Sequence, residues 1–235
     1  MIKAVFFDLY HTLIHYDPPR EGVLAQGLAR RGINVSPAAL RRAIIAGDEY
    51  FYRENARKGL SQRTETETRE MWARYQAVVL TEAGIAPEPA LVAGLLADMQ
   101  RVSFERVLFA DVVPAFDDLS GRGLILGLVS NVDKDIKPLL ENLGIGRYLG
   151  VVLTSKDAGA TKPEPRIFHE AVKRAGVSAA DSLYIGDQYE IDVLGARGAG
   201  LKALLLDRED YSQEVPAAEK IKSLGELTRR IQNTR

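Results

Sequence analysis

Four short segments carry residue types that can do chemistry together. The first is Asp8-Leu9-Tyr10-His11-Thr12, directly after the apolar run Val5-Phe6-Phe7. A carboxylate at the tip of a buried strand is costly unless it is used or paired. The second is Ser130-Asn131, a hydroxyl and an amide ending another apolar run. The third is Lys162-Pro163, an ammonium just ahead of a helical pattern. The fourth is Gly186-Asp187 with Asp192 five residues on, two carboxylates across a strand-to-helix turn. Such carboxylates can attack or hold a cation, the hydroxyl and amide can donate, and the ammonium can offset negative charge. Taken singly, each segment also has a plain structural use: Ser130 as a helix N-cap, Lys162 as a surface lysine, Asp187 and Asp192 as cap and first-turn acid. Their recurrence at successive strand ends is what sets them apart.

Elements that could position these groups are legible. Five apolar runs without alternation suit strands buried on both faces of a parallel sheet. They end at Asp8, Ser130, Thr154, Asp187 and Asp207. Helical patterns such as Ile136–Leu143 and Arg166–Ala175 separate the later runs, with Gly144 and Gly176 placed as C-caps. Strand, polar tip and helix in repetition predict a doubly wound, Rossmann-like α/β core, whose ligand lies at the carboxyl ends of the strands. The segment between the first two runs differs. Leu40, Ile44, Gly47 and Phe51 follow a helical period that Ser36-Pro37 can start, and Met71, Trp72, Tyr75 and Val79 give a second helix closed by Gly84. Leu91, Leu95, Met99 and Val102 give another. The organisation expected is an α/β core of 1–17 and 101–235 with an all-helical cap domain, 18–100, inserted into it. The charge-rich stretch 53–74 mixes both signs and reads as a solvated face.

Composition narrows the function classes. Of 235 residues, 46% are hydrophobic and 27% charged, and the net charge is −1. That balance speaks against nucleic acid or an anionic membrane surface as the main partner. No apolar run approaches the roughly 18 residues of a membrane span. The N-terminal residues lack the layout of a signal peptide, so a cytoplasmic location is expected. With no cysteine, disulfides, thiolate metal sites and a cysteine nucleophile are excluded. Gly121-Arg122-Gly123 and Gly127 precede a strand instead of following one, which removes the dinucleotide-binding reading.

In order and spacing, the four segments resemble the motifs of the haloacid dehalogenase superfamily of hydrolases. The resemblance covers 1–14 and roughly 105–235, and the insertion lies where that superfamily places a helical cap. It implies Asp8 as a nucleophile that forms a covalent aspartyl intermediate. Ser130 and Asn131 would bind the transferring group, and Lys162 would neutralise charge on it and on Asp8. Asp187, with Asp8 and the Tyr10 carbonyl, would hold Mg²⁺. Asp192 would orient that shell or a bound water, and Thr12 would support the first motif. The implied substrate is a small anionic molecule.

The first motif departs from the superfamily's phosphatases, which carry an acid–base Asp where this chain has Tyr10. The 2-haloacid dehalogenases do carry Tyr there, but they lack the acid pair represented here by Asp187 and Asp192, and they usually have Gly at the place of His11. A phosphate monoester needs its leaving oxygen protonated, which Tyr, with a pKa of about 10, does poorly. A halide leaves without a proton. Conversely, Mg²⁺ on Asp8 would dull it as a nucleophile towards carbon, so a dehalogenase has little use for Asp187, and hydrolysis of a small phosphorylated metabolite with Mg²⁺ is the first expectation. Metal-independent 2-haloacid dehalogenation is the alternative, and a ligand-binding member without turnover is a third. Tyr16, Arg20, Arg41, Arg42 and Trp72 are candidates for specificity by residue type alone.

Overall fold

Each of the five apolar runs forms a strand in the computed structural model, which describes residues 1–212 and 214–232. They are β1 (Ala4–Phe7), β4 (Ile125–Ser130), β5 (Leu149–Thr154), β6 (Ser182–Gly186) and β7 (Lys202–Leu206). With the two-residue β8 (Lys220–Ile221) they build a six-stranded sheet in the order β5-β4-β1-β6-β7-β8. Every neighbouring pair is parallel.

The continuous apolar character of β1 has a direct cause. Val5 and Phe7 face one buried cluster with Val112, Phe116 and Leu119 of α5 (Val112–Gly121) and Leu224 and Leu227 of α10 (Leu224–Gln232). Leu140 of α6 (Lys137–Asn142) joins the same cluster. Ala4 and Phe6 face the opposite cluster with Ile167, Phe168 and Ala171 of α8 (Pro165–Ala175) and Ala196 of α9 (Gly195–Gly198). The short α7 (Ser155–Ala158) lies between β5 and α8, and its Ala158 belongs to that cluster too. Helices therefore cover both faces, and the doubly wound α/β architecture is the observed fold. Chain order runs outward from β1 on both sides, so the carboxyl ends of β4, β1 and β6 meet at the switch point where such sheets bind ligands.

The chain divides into two compact units: 1–15 with 107–235, and 16–106. Between 20 and 100 the second unit's elements are all helical, with α1 (Arg20–Ala29), α2 (Pro37–Arg57), α3 (Glu65–Glu82) and α4 (Pro89–Gln100) as its α-helices. Leu24, Leu28, Leu40, Ile44, Val79, Leu80, Val92 and Leu95 form its own core. Ser36 caps α2 by accepting from the Ala39 N–H, and Thr64 with Glu67 makes a capping box on α3. The stretch 53–74 is mostly exposed or half-buried, with Lys58 paired to Glu67.

Three strands had no sequence signal. β2 (Ile14–Asp17) and β3 (Glu105–Leu108) form a two-stranded sheet within which the chain passes from one unit to the other. β3 reads Glu-Arg-Val-Leu and is largely exposed, so it shows neither a buried run nor a polar alternation. β8 is too short for any period.

Candidate active site

β1 ends at Phe7, and the Asp8 N–H extends the ladder by donating to the Ile185 carbonyl at 2.9 Å. The chain then turns on itself. His11 adopts a φ of 60°, in the left-handed region that glycine enters most readily. The Leu13 and Ile14 N–H groups donate back to the Leu9 carbonyl, and the His11 N–H donates to the Ile14 carbonyl. The Asp8 side chain is 8% exposed. Tyr10 is half-buried and packs on the cluster that contains Val5 and Phe7.

Lys162 is the centre of the electrostatics. It is buried, and its ammonium donates to Asp8 Oδ1 at 2.6 Å, Asp192 Oδ1 at 2.7 Å and the Tyr184 hydroxyl at 3.0 Å. An ammonium has three N–H donors, so all three have protein acceptors. Burial alone would lower the lysine's pKa, but Asp192 and Asp8 hold it well above its ordinary value. Burial raises the Asp8 pKa; Lys162 lowers it and Asp192 raises it, and the balance stands at about 6. In the isolated site the nucleophile candidate is therefore only partly ionised near pH 6.

Neighbouring strand ends fix Lys162 in place. Asn131, just beyond β4, accepts from the Lys162 N–H at 2.7 Å and donates its amide to the Lys162 carbonyl at 2.9 Å. Both polar atoms of the Asn131 side chain thus brace the lysine's own peptide groups. Ser130 closes β4 and is buried beside it. Tyr184, a fully buried residue of β6, donates to the Val129 carbonyl at 3.0 Å while accepting from Lys162. Sequence reasoning passed over Tyr184, although a tyrosine inside an otherwise apolar strand needs a partner for its hydroxyl.

The last motif starts with Gly186. A Cβ there would lie 2.2 Å from Asp192 Oδ2, so only glycine lets that carboxylate approach the strand. A π-helical turn over Tyr189–Leu194 carries Asp192 inward. Such turns are rare and cluster at functional sites. Asp192 Oδ2 accepts from the Gln188 N–H at 3.1 Å, and its Oδ1 meets Lys162. Asp192 therefore orients the lysine. Asp187 is half-buried and accepts a long hydrogen bond, 3.4 Å, from the buried Thr12 hydroxyl. Carboxylate oxygens of Asp8, Asp187 and Asp192 lie within 4.8 Å of one another. Hard oxygen donors this close suit Mg²⁺, which takes oxygen ligands at about 2.1 Å and keeps several waters.

Arg20, a specificity candidate by type, has an internal use. It pairs with Asp48 through two hydrogen bonds, at 2.9 and 2.6 Å, and donates to the Tyr75 hydroxyl at 3.2 Å. Arg41 pairs with Glu21, and Trp72 stacks on Phe51 with ring centroids 5.2 Å apart. His15 is half-buried with its ring 4.9 Å from that of Phe109.

The chain is similar to known hydrolases in sequence and in fold. The chain is 32% identical over 225 residues to the glyceraldehyde 3-phosphate phosphatase of Methanopyrus kandleri, an alignment covering 92% of this chain and 88% of that protein. It is 33% identical over 129 residues to haloacid dehalogenase-like hydrolase domain-containing protein 3 of Danio rerio, covering 54% of this chain and about half, 53%, of that protein. The solved structure of L-2-haloacid dehalogenase from Xanthobacter autotrophicus superposes over the whole of both chains, 100% of each, with a TM-score of 0.62 and 19% identity, a likeness of fold alone. The profile of haloacid dehalogenase-like hydrolases matches residues 2–200, which takes in all four motifs and the insertion between the first two. The chain belongs to the haloacid dehalogenase-like family and is a hydrolase.

Proposed function

We propose that this hydrolase cleaves a small phosphorylated metabolite with Mg²⁺ and an aspartyl intermediate on Asp8. The observation that carries the reading is the closeness of the Asp187 carboxylate to those of Asp8 and Asp192, because Asp187 has little use in displacing a halide. The 32% identity to a glyceraldehyde 3-phosphate phosphatase, in an alignment covering 92% of the chain, supports a small phosphorylated substrate.

Asp8, Asp187 and the Tyr10 carbonyl would hold the ion, which when bound supplies positive charge between an anionic nucleophile and an anionic phosphate. The Asp8 carboxylate attacks phosphorus, the ester oxygen departs, and water then cleaves the acyl phosphate at phosphorus to regenerate Asp8. Lys162 keeps Asp8 oriented and stabilises its ionised form. Ser130 binds a phosphoryl oxygen. Asn131, Tyr184 and Asp192 keep Lys162 in place. Tyr10 gives the leaving oxygen little acid assistance, so substrates with good leaving groups are favoured.

Tyr10 also favours a second reading, attack of Asp8 on a carbon bearing halide without metal. One experiment separates the two. Activity on triose, sugar and aryl phosphates and on 2-chloropropionate is measured with Mg²⁺ and with EDTA, for wild type and Asp8→Asn. The phosphatase reading expects phosphate release that EDTA and Asp8→Asn each abolish. Chloride release that resists EDTA would overturn it.

A further inference from the structure

We propose that Arg208, outside all four motifs, is a positioning residue that holds the turn bearing Asp8 and Thr12 in its working shape. Arg208 follows Asp207 at the tip of β7. Asp207 is buried and accepts from the N–H groups of Tyr211 and Ser212, both at 2.9 Å, which anchors the backbone from which Arg208 projects. The guanidinium then makes three kinds of contact. One Nη donates to the Thr12 carbonyl at 2.9 Å. Both Nη atoms fork onto the Asp111 carboxylate at 2.9 and 3.0 Å. The group's plane lies over the Phe109 ring, 3.8 Å from its centroid.

These contacts join the two chain segments at which the core is interrupted. Thr12 lies on the way out of the core, and Phe109 and Asp111 lie on the way back in. Phe109 is itself tied to the turn, because its N–H donates to the Leu13 carbonyl at 3.0 Å. Asp111 in turn accepts from the Leu224 N–H, at the start of α10, at 2.9 Å. The Arg208 and Asp111 side chains are only 16% and 24% exposed, so this forked pair is shielded as ordinary surface pairs are not. The Arg208 Nε is buried without a hydrogen-bond partner. A guanidinium left with one unsatisfied donor is placed by what its other nitrogens and its face hold. The Thr12 side chain carries the effect onward, since its hydroxyl reaches Asp187.

The link to Asp187 rests on the proposed cation site, whereas the hold on the turn does not, and the test keeps them apart. Arg208→Lys keeps the charge but loses the fork and the flat face. Asp111→Asn weakens the ion pair while leaving the Thr12 contact. Amide hydrogen exchange is followed at Leu13 and Ile14 in metal-free protein, and Mg²⁺ binding is measured by calorimetry. For Arg208→Lys we expect exchange at Leu13 and Ile14 to quicken about tenfold or more, the effect of losing one charge-assisted hydrogen bond, with amides of β4 and β6 unchanged. Mg²⁺ should bind about tenfold more weakly, as when a residue behind a metal ligand is altered. Asp111→Asn should lower the unfolding temperature but move both readouts less than Arg208→Lys does. Should Arg208→Lys not fold, Phe109→Leu, which removes the ring under the guanidinium, carries the same exchange readout. Exchange at Leu13 and Ile14 within about twofold of wild type, or quickened equally throughout the sheet, would overturn the proposal. Wild type that takes up no Mg²⁺ would remove the cation site, and the exchange pattern would still decide the role of Arg208.

Discussion

Asp8 is held in a balance that should be measurable. Its carboxyl is raised to about 6 by burial, against the pull of Lys162 and with the push of Asp192. A folded pKa above the unfolded value means that the folded state holds the extra proton. The associated stability is present below about pH 4 and is lost as pH rises through about 6. Asp8→Asn cannot ionise, so its unfolding temperature relative to wild type, both metal-free, should climb by several degrees between pH 4 and pH 7. A difference that stays flat with pH sinks the assignment. The same proton must leave when a cation binds, so Mg²⁺ affinity in calorimetry should weaken as pH falls below about 6. Tyr10 gives a second expectation at this scale. Tyr10→Asp should restore a proton donor and raise activity on alkyl phosphates about tenfold or more relative to aryl phosphates, within the general range for acid catalysis. An unchanged ratio of the two rates would mean that Tyr10 does not stand where the leaving oxygen departs.

Between elements, close packing sets the sign of substitutions that propensity alone gets wrong. Gly47 lies within α2, where Ala is ordinarily better than Gly by about 1 kcal/mol. A Cβ at Gly47, however, would lie 2.5 Å from Val79 Cγ2 and 3.0 Å from the Tyr75 ring on α3. Valine has little rotamer freedom in a helix, so the neighbour cannot yield cheaply. Overpacking costs about 1–3 kcal/mol, and Gly47→Ala should therefore destabilise the protein in chemical denaturation. A gain in stability would show that α2 and α3 can separate at little cost. The Arg20–Asp48 pair between α1 and α2 tests the same unit differently. Its side chains are 16% and 10% exposed, and Asp48 also accepts from the Tyr75 hydroxyl at 3.0 Å. Removing one buried partner leaves the other charge uncompensated, at a cost of about 3–5 kcal/mol. Arg20→Met should show most of that loss in the same assay, and a loss under about 1 kcal/mol would mean that water reaches the pair.

For the molecule as a whole, the two units have separate hydrophobic cores. The interrupted ends of the α/β unit lie close together, since the Phe109 N–H donates to the Leu13 carbonyl and the His15 and Phe109 rings are 4.9 Å apart. A short Gly/Ser linker from residue 15 to residue 107 should therefore give a core that folds cooperatively and keeps the Asp8–Lys162–Asp192 cluster. Cooperative thermal unfolding together with retained Mg²⁺ binding would bear this out. A molten core would show that the α/β unit needs the helical insertion in order to fold.

The strand tips, the helical insertion and the four motifs were legible in the sequence because each has a local cause. A strand buried on both faces must be apolar throughout, a polar group at its tip stands out, and Ser36-Pro37 or Gly176 marks a helix end whatever surrounds it. Tyr184 as the third acceptor of Lys162, Asn131 as a brace on the lysine's peptide groups, Arg208 on the turn, and the pairing of β2 with β3 had no such mark. Lys162 meets Asp8 across 154 positions of chain and Arg208 meets Thr12 across 196. Those meetings depend on strand order and on which face each side chain takes. Local residue spacing suggested that Asp8 and Lys162 are used. Only the packed sheet, by bringing the ends of β4, β1 and β6 side by side, decided which neighbours complete the hydrogen bonds of a buried ammonium, because a donor cut off from water takes whichever acceptor the fold puts within reach.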